Sequence, residues 1–71
     1  MKFHRIEDLR IDHDKTQQEI ADLLDCQREV YRRYEQGIRS IPVDFLIKLS
    51  DYYDVSIDYL VGKTDTRKRY P

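Results

Sequence analysis

The sequence predicts an all-α fold, a compact five-helix bundle, on three observations. Apolar residues recur at helical spacing in five segments, helix caps and stops separate these segments, and no run alternates as a strand does. The chain has 71 residues and a single cysteine, so helix packing must stabilise the fold without an internal disulfide. The high charge content would also suit a disordered chain, but the periodicity argues against disorder.

The first two helices follow from an apolar stripe and a cap. Phe3, Ile6 and Leu9 recur every three residues and form one apolar stripe. Thr16, with Glu19 three residues later, predicts a capping box that opens the second helix. The apolar face of this second helix is expected to comprise Ile20, Ala21, Leu23 and Leu24.

The third helix begins after a very short interruption. Residues 25–27 break the apolar pattern for about one turn, and residues 28–36 then resume it. Gly37 is a typical helix stop, because glycine adopts the left-handed conformation without steric cost. The inward positions of this helix are Val30, Tyr31 and Tyr34.

Two further helices complete the bundle. Asp44 is expected to cap the fourth and Ser56 a short fifth, which Gly62 ends. Inward side chains of the fourth helix are Phe45, Leu46, Leu49 and Tyr52 or Tyr53, and those of the fifth are Ile57, Leu60 and Val61. The sequence therefore divides into a domain at residues 1–62 and a basic tail at 63–71.

The outer face of the third helix carries the pattern that points to a function. At 100° per residue its polar side chains fall within an arc of about 140°, opposite the tyrosines. These side chains are Arg28, Glu29, Arg32, Arg33 and Gln36. Arginine bonds bidentately to guanine, glutamate accepts from cytosine, and other donors reach phosphates, so the set suits the DNA major groove. A solvated helix face is the alternative, and the short link to the preceding helix favours DNA binding.

Basic residues are concentrated in two segments of the chain, although the net charge is only −1. Residues 27–39 contain four arginines against two glutamates, and the tail adds Lys63, Arg67, Lys68 and Arg69 against Asp65. The tail is either a disordered charge run or an arm that adds phosphate contacts.

Several segments, in this order and spacing, resemble the Xre/Cro (lambda-repressor-like) helix-turn-helix family. They are Leu9-Arg10, Thr16-Gln17-Gln18-Glu19-Ile20-Ala21-Asp22-Leu23-Leu24, Tyr34-Glu35-Gln36-Gly37, Ile41-Pro42, Leu46-Ile47-Lys48-Leu49 and Asp54-Val55-Ser56-Ile57-Asp58-Tyr59-Leu60-Val61-Gly62. The resemblance covers about residues 3–62 and implies that helices 2 and 3 form the helix-turn-helix, with the third in the major groove. It also implies no cofactor, no metal and no enzymatic activity.

The resemblance assigns roles to individual residues. Base reading is implied for Arg28, Glu29 and Arg33, with Arg32 beside them. Phosphate contacts are implied for Thr16, Gln17, Gln27, Gln36 and Arg39. Arg10 and Glu35 are expected to form a structural ion pair between the first and third helices.

Some residues depart from the family pattern. Asp25 replaces a frequent glycine but tolerates the left-handed conformation, and Gln27 replaces the usual Ser or Thr cap. Cys26 is interpreted as a core residue. Tyr31 replaces a smaller aliphatic residue, so its hydroxyl must reach solvent or a partner.

The histidines and the remaining tyrosines give little support for another kind of functional site. His4 and His13 do not share a helix face and are interpreted as surface residues. Tyr52, Tyr53 and Tyr59 are expected at the core edge with solvated hydroxyls, or alternatively in a dimer patch.

The sequence therefore predicts a sequence-specific double-stranded DNA-binding transcriptional regulator, a repressor, acting as two copies on a pseudo-palindromic operator. No signal peptide or membrane span is expected, so the chain is predicted to be cytoplasmic, on the nucleoid. An antitoxin that binds both DNA and a toxin is the main alternative, and a protein-interaction module is a third possibility. No nucleophile–base pair or phosphate loop supports an enzyme.

Overall fold

A computed structural model describes residues 2–68 of the chain. Five helices follow one another in this part: α1 (His4–Asp12), α2 (Gln17–Leu23), α3 (Arg28–Gln36), α4 (Val43–Tyr53) and α5 (Ile57–Leu60). These residues contain no strand, and the predicted all-α bundle of five helices is confirmed.

The helices enclose one apolar core. Its side chains are at most 9% exposed and come from all five helices and three of the connections between them: Ile6, Leu9, Ile20, Ala21, Leu24, Tyr31, Ile41, Leu46, Leu49, Tyr53, Val55 and Leu60. Full burial of a large apolar side chain contributes about 1.5–3 kcal/mol. Because each helix supplies only a few such residues, stability depends on their mutual packing.

The capping signals are found where the sequence predicts them. The Thr16 hydroxyl accepts a hydrogen bond from the Glu19 amide at 3.1 Å, and the Glu19 carboxylate accepts from the Thr16 amide at 3.0 Å. The Ser56 hydroxyl caps α5 by accepting from the Tyr59 amide at 3.0 Å. Gly37 ends α3 in the left-handed conformation, with φ of +79°. These three predictions are confirmed.

The predicted cap of α4 is wrong. The helix begins at Val43, with Pro42 as the N-cap residue, two positions earlier than a cap at Asp44 allows. Pro42 has φ of −64°, and its carbonyl accepts from the Phe45 amide at 3.1 Å. Asp44 instead lies in the first turn, where its carboxylate interacts favourably with the positive end of the helix dipole.

Several inward positions also differ from the prediction. Leu23 and Ile57 are 38% and 36% exposed, because each lies at the edge of a narrow buried face on a very short helix. In α4 the inward tyrosine is Tyr53 at 6% exposure, whereas Tyr52 is 42% exposed. The core also includes two loop residues, Ile41 and Val55. Loops have no helical periodicity, so the sequence pattern did not predict their burial.

The described part of the tail lies against the bundle. The Arg5 guanidinium of α1 lies 4.1 Å from the ring centroid of Tyr59 and bonds to Asp65 at 2.5 Å. Arg67 lies 5.4 Å from the same ring centroid. Arg69, the last basic residue of the predicted tail, lies outside the described residues.

The described helices are short. The longest, α4, has 11 residues, and none in residues 2–68 has the length and apolarity that a membrane crossing requires. His4 and His13 are both exposed, as predicted. Within the same range, no three His, Cys, Asp or Glu side chains are grouped as a metal site.

Candidate nucleic-acid interface

The orientation of α3 is fixed by its buried side. Tyr31 and Glu35 are fully buried, and Tyr34 packs edge-on against Phe45 of α4 with ring centroids 5.6 Å apart. The opposite side consists of exposed Arg28, Glu29 and Gln36 and the side chains of Arg32 and Arg33, which are 34% and 43% exposed. The arginines of α3 therefore point away from the bundle.

The connection between α2 and α3 is short and left-handed at one residue. Asp25 has φ of +56°, and the Cys26 amide donates to the Ala21 carbonyl at 3.0 Å. Ala21 is fully buried where the two helices pack. Gln27 is the N-cap of α3 but makes no side-chain capping bond, so its amide group is available for other partners. Together these features hold α3 against α2 with its polar side exposed.

Glu29 is the centre of a side-chain network on the exposed face. Its carboxylate accepts from the Arg32 guanidinium through Nε at 3.0 and 3.1 Å and through Nη2. Arg33 Nε lies 3.6 Å from the same carboxylate. Arg32 Nη1 also donates to Gln36 Oε1 at 2.6 Å. The hydrogen bond from Arg32 lowers the pKa of Glu29 and raises the pKa of Arg32, so both groups stay charged.

Two arginines near this network make no side-chain hydrogen bond or ion pair with the described residues. Arg28, at the start of α3, and Arg39, in the loop after α3, are exposed. Neither side chain forms an ion pair or hydrogen bond with another residue of the described chain. Their guanidinium groups are free to bind an external acceptor.

The side chains predicted to contact phosphate lie at the ends of α2 and α3. Thr16 is exposed at the N-terminus of α2, with its hydroxyl and amide used in the capping box. Gln17 follows it, half-buried, and Gln27 precedes α3. Gln36 and Arg39 lie at and beyond the end of α3. The structure thus brings Gln17 next to α3, while Gln36 joins the Glu29 network.

Beneath the exposed face, Arg10 and Glu35 form a bidentate ion pair. Arg10 Nε donates to Glu35 Oε2 at 2.8 Å, and Arg10 Nη2 donates to Oε1 at 3.0 Å. The third donor, Nη1, bonds to the Lys15 carbonyl at 2.9 Å. Gln17 Nε2 also donates to Glu35 Oε1, at 3.2 Å. Glu35 therefore links α1, α2 and α3.

Burial and hydrogen bonding act in opposite directions on the pKa of Glu35. Burial raises this pKa because it disfavours the charged carboxylate. The hydrogen bond from Arg10, together with the Tyr31 hydroxyl and Gln17, outweighs burial, and the pKa of Glu35 falls below its usual value of 4.5. The carboxylate is consequently ionised whenever the folded protein is near neutral pH.

Two tyrosine hydroxyls are enclosed, and one of them corrects a sequence prediction. Tyr53 was expected to keep a solvated hydroxyl, but its oxygen is buried. The Tyr31 hydroxyl, expected to reach solvent or a partner, is buried and interacts with the Glu35 carboxylate. Neither forms a hydrogen bond of normal geometry with a described residue, and burial raises the pKa of both hydroxyls. Burial of the Tyr53 ring offsets a cost of about 1–3 kcal/mol for its unsatisfied hydroxyl.

The sequence pattern assigned each polar residue of α3 to a separate contact with DNA, and the contacts among these residues were not predicted. Arg32 and Arg33 lie three and four residues after Glu29, a spacing at which oppositely charged side chains meet on a helix. That signal was available in the sequence. The contact between Gln17 and Glu35 had no such signal, because it joins residues 18 positions apart.

The fold and this face define a helix-turn-helix protein, and comparison with known families agrees. Residues 6–60 match the model of the helix-turn-helix family HTH_3. The chain belongs to this family, a family of DNA-binding regulators without enzymatic activity, as the sequence resemblance implied.

Individual relatives carry regulator names. ImmR of Bacillus subtilis, an HTH-type transcriptional regulator, is 37% identical over 92% of this chain and 51% of its own length. YobD of the same species, an uncharacterized HTH-type transcriptional regulator, is 35% identical over 92% of this chain and 58% of its own. The transcriptional repressor RstR of the cryptic phage CTXphi in Vibrio cholerae is 34% identical over 87% and 56%.

These similarities cover only part of each relative. The chain spans little more than half the length of ImmR, YobD and RstR. No solved structure matches the chain. The comparisons therefore establish the helix-turn-helix domain and its family.

Proposed function

We propose that this chain binds double-stranded DNA sequence-specifically, with α3 in the major groove, and regulates transcription as a repressor. The observation that carries the proposal is the orientation of α3, whose buried Tyr31 and Glu35 turn three guanidinium groups outward. The printed name of one relative, a phage transcriptional repressor, supports the repressor role.

Base selection is proposed for the exposed polar side chains of α3. Arg28 and Arg33 have donors that suit guanine, Glu29 belongs to the same face, and Arg32 lies beside them. Phosphate contacts are proposed for Thr16, Gln17, Gln27, Gln36 and Arg39, which flank this face. The phosphate contacts would supply most of the affinity and its salt dependence.

A single small module buries a limited DNA interface, so we propose that two copies bind a pseudo-palindromic operator. We assign DNA binding to residues 1–62 and treat residues 63–71 as a basic tail. Arg67 contacts Tyr59, so this part of the tail lies against the domain. Any phosphate contact by the tail would be made from that position.

The proposal predicts that the arginines of α3 are needed for binding but not for folding. Selection from a random duplex library first identifies the preferred operator. On that operator, Arg28→Ala and Arg33→Ala should each weaken binding by about 1–3 kcal/mol, because each removes a potential bidentate contact to guanine. Fluorescence anisotropy titration measures the loss.

Lys48→Ala is a matched control, because Lys48 is an exposed cation on α4. It should leave operator affinity nearly unchanged, and all three variants should keep the wild-type circular dichroism spectrum. Full operator affinity in both arginine variants would refute the assignment of α3 as the reading helix.

A further inference from the structure

We propose that Glu29 controls the selectivity of α3 by holding Arg32 and Arg33, and that its effect on base choice is exerted through these arginines. The inference rests on the proposed DNA-binding function and specifies how its interface discriminates sequences. Glu29 is thus a positioning residue of the interface.

Both oxygens of the Glu29 carboxylate are already engaged within α3. Oε1 and Oε2 accept from Arg32 Nε at 3.0 and 3.1 Å, and Oε1 lies 3.6 Å from Arg33 Nε. A carboxylate that accepts from one guanidinium through both oxygens, with a second guanidinium 3.6 Å away, has fewer acceptor sites left for the amino group of a cytosine. These two arginines are the partners of Glu29 on the exposed face of α3.

The arginines gain a defined orientation from this contact. Arg32 is held at one end by Glu29 and at the other by Gln36, whose Oε1 accepts from Nη1 at 2.6 Å. A free arginine side chain loses rotamer entropy on binding, and a restrained one loses less. A restrained arginine therefore binds best to an acceptor that lies in the direction of its guanidinium group, such as the edge of a correctly placed guanine.

Glu29 also reduces the positive charge of the exposed face. A free guanidinium binds any phosphate, and such contacts supply sequence-independent affinity. The Glu29 carboxylate occupies the donors of Arg32 and attracts Arg33, so fewer donors are free for misplaced phosphates. Selectivity is the difference between the affinity for the operator and the affinity for other sequences. Weaker non-specific binding therefore increases selectivity.

The experiment compares Glu29→Gln with the wild-type chain. Gln has the size of Glu without its charge, and position 29 is exposed, so folding should be retained. Binding of a random-sequence duplex pool is measured as a function of salt, and the preferred bases are determined by selection from the same pool. Asp8→Asn removes one negative charge, as Glu29→Gln does, from an exposed position on α1 and is the matched control.

Glu29→Gln should bind the random pool roughly fivefold more tightly, with a salt dependence steeper by about one phosphate contact. Base preference should weaken at more than one position, because two arginines lose their restraint. Asp8→Asn should match the wild type in all three measurements.

Other outcomes would overturn the inference. If Glu29→Gln matches the wild type, or if Asp8→Asn changes binding equally, Glu29 has no special effect on selectivity. If Glu29→Gln loses preference at one base pair only, with unchanged binding to the random pool, Glu29 reads that base directly. If the wild type binds no duplex in a salt-dependent manner, the DNA-binding function itself fails, and the role of Glu29 fails with it.

Discussion

Glu35 lies at the end of α3 with a fully buried carboxylate, bonded to Arg10 of α1 and Gln17 of α2. A buried charge is costly unless it is paired and hydrogen-bonded, and here both conditions are met. Gln17 donates only one of its two amide hydrogens to Glu35, so the other remains available to a phosphate. The same carboxylate thus stabilises the bundle and orients a proposed contact to DNA.

The lowered pKa of Glu35 predicts a loss of stability in acid. A carboxylate with a folded-state pKa below its unfolded value stabilises the fold above the unfolded value, and this contribution is lost as the pH falls through the folded pKa. Glu35→Gln should therefore cost about 3 kcal/mol at neutral pH, because it leaves Arg10 without its counter-charge. Below the usual carboxyl value of 4.5 the difference from wild type should shrink progressively. Urea denaturation across this pH range measures both effects.

Asp8→Asn controls for the substitution of a carboxylate by an amide, since Asp8 is exposed on α1. Its stability at neutral pH should lie within about 0.5 kcal/mol of wild type. A constant difference between Glu35→Gln and wild type from neutral to acid pH would contradict the role assigned to Glu35.

At the scale of the helices, α2 depends strongly on its N-terminal cap. It has seven residues, and an isolated helix of that length is unstable in water. The capping box satisfies two amide groups, at Thr16 and Glu19, and the bond from the Thr16 amide is the main cause of a lowered pKa at Glu19. Packing of α2 against α3 then fixes the helix-turn-helix.

Thr16→Ala should destabilise the domain by about 1 kcal/mol, because the Glu19 amide loses its acceptor at the start of α2. Thermal and urea denaturation measure the change. Thr16→Ser is the matched control, since serine retains the hydroxyl and should recover most of the stability. Equal stability of the alanine and wild-type chains would show that the cap contributes nothing to folding.

At the scale of the whole molecule, basic charge and size constrain how DNA is bound. The chain has a net charge of −1, so attraction to DNA must come from the local cluster of arginines on and after α3. The domain measures 31 × 22 × 20 Å. A helical turn of DNA rises about 34–36 Å, so two such domains fit side by side in successive major grooves.

This geometry predicts two chains per operator, with half-sites separated by about 10 base pairs from centre to centre. Sedimentation of the complex with a selected operator should give a mass of one duplex plus two chains. Hydroxyl-radical footprinting should show two protected regions on one face of the duplex. One chain per operator, or a single asymmetric footprint, would contradict the proposed arrangement.

Local patterns in the sequence were sufficient for much of the fold. The cap at Thr16, the stop at Gly37 and the opposition of arginines and tyrosines on α3 depend on neighbouring residues and helical period alone. The start of α4 was mispredicted because Pro42 and Asp44 are both acceptable near a helix N-terminus.

Periodicity and capping signals predict the five helices and the face of α3 that bears the arginines without any tertiary information. The enclosure of the Tyr31 and Tyr53 hydroxyls and the bond between Gln17 and Glu35 follow from the packing of the helices and could not be predicted from the sequence. Helical periodicity records which side of a segment is apolar, because that side repeats every three or four residues. It carries no information on which side chains from separate helices meet, since those contacts depend on how the packed helices are arranged in space.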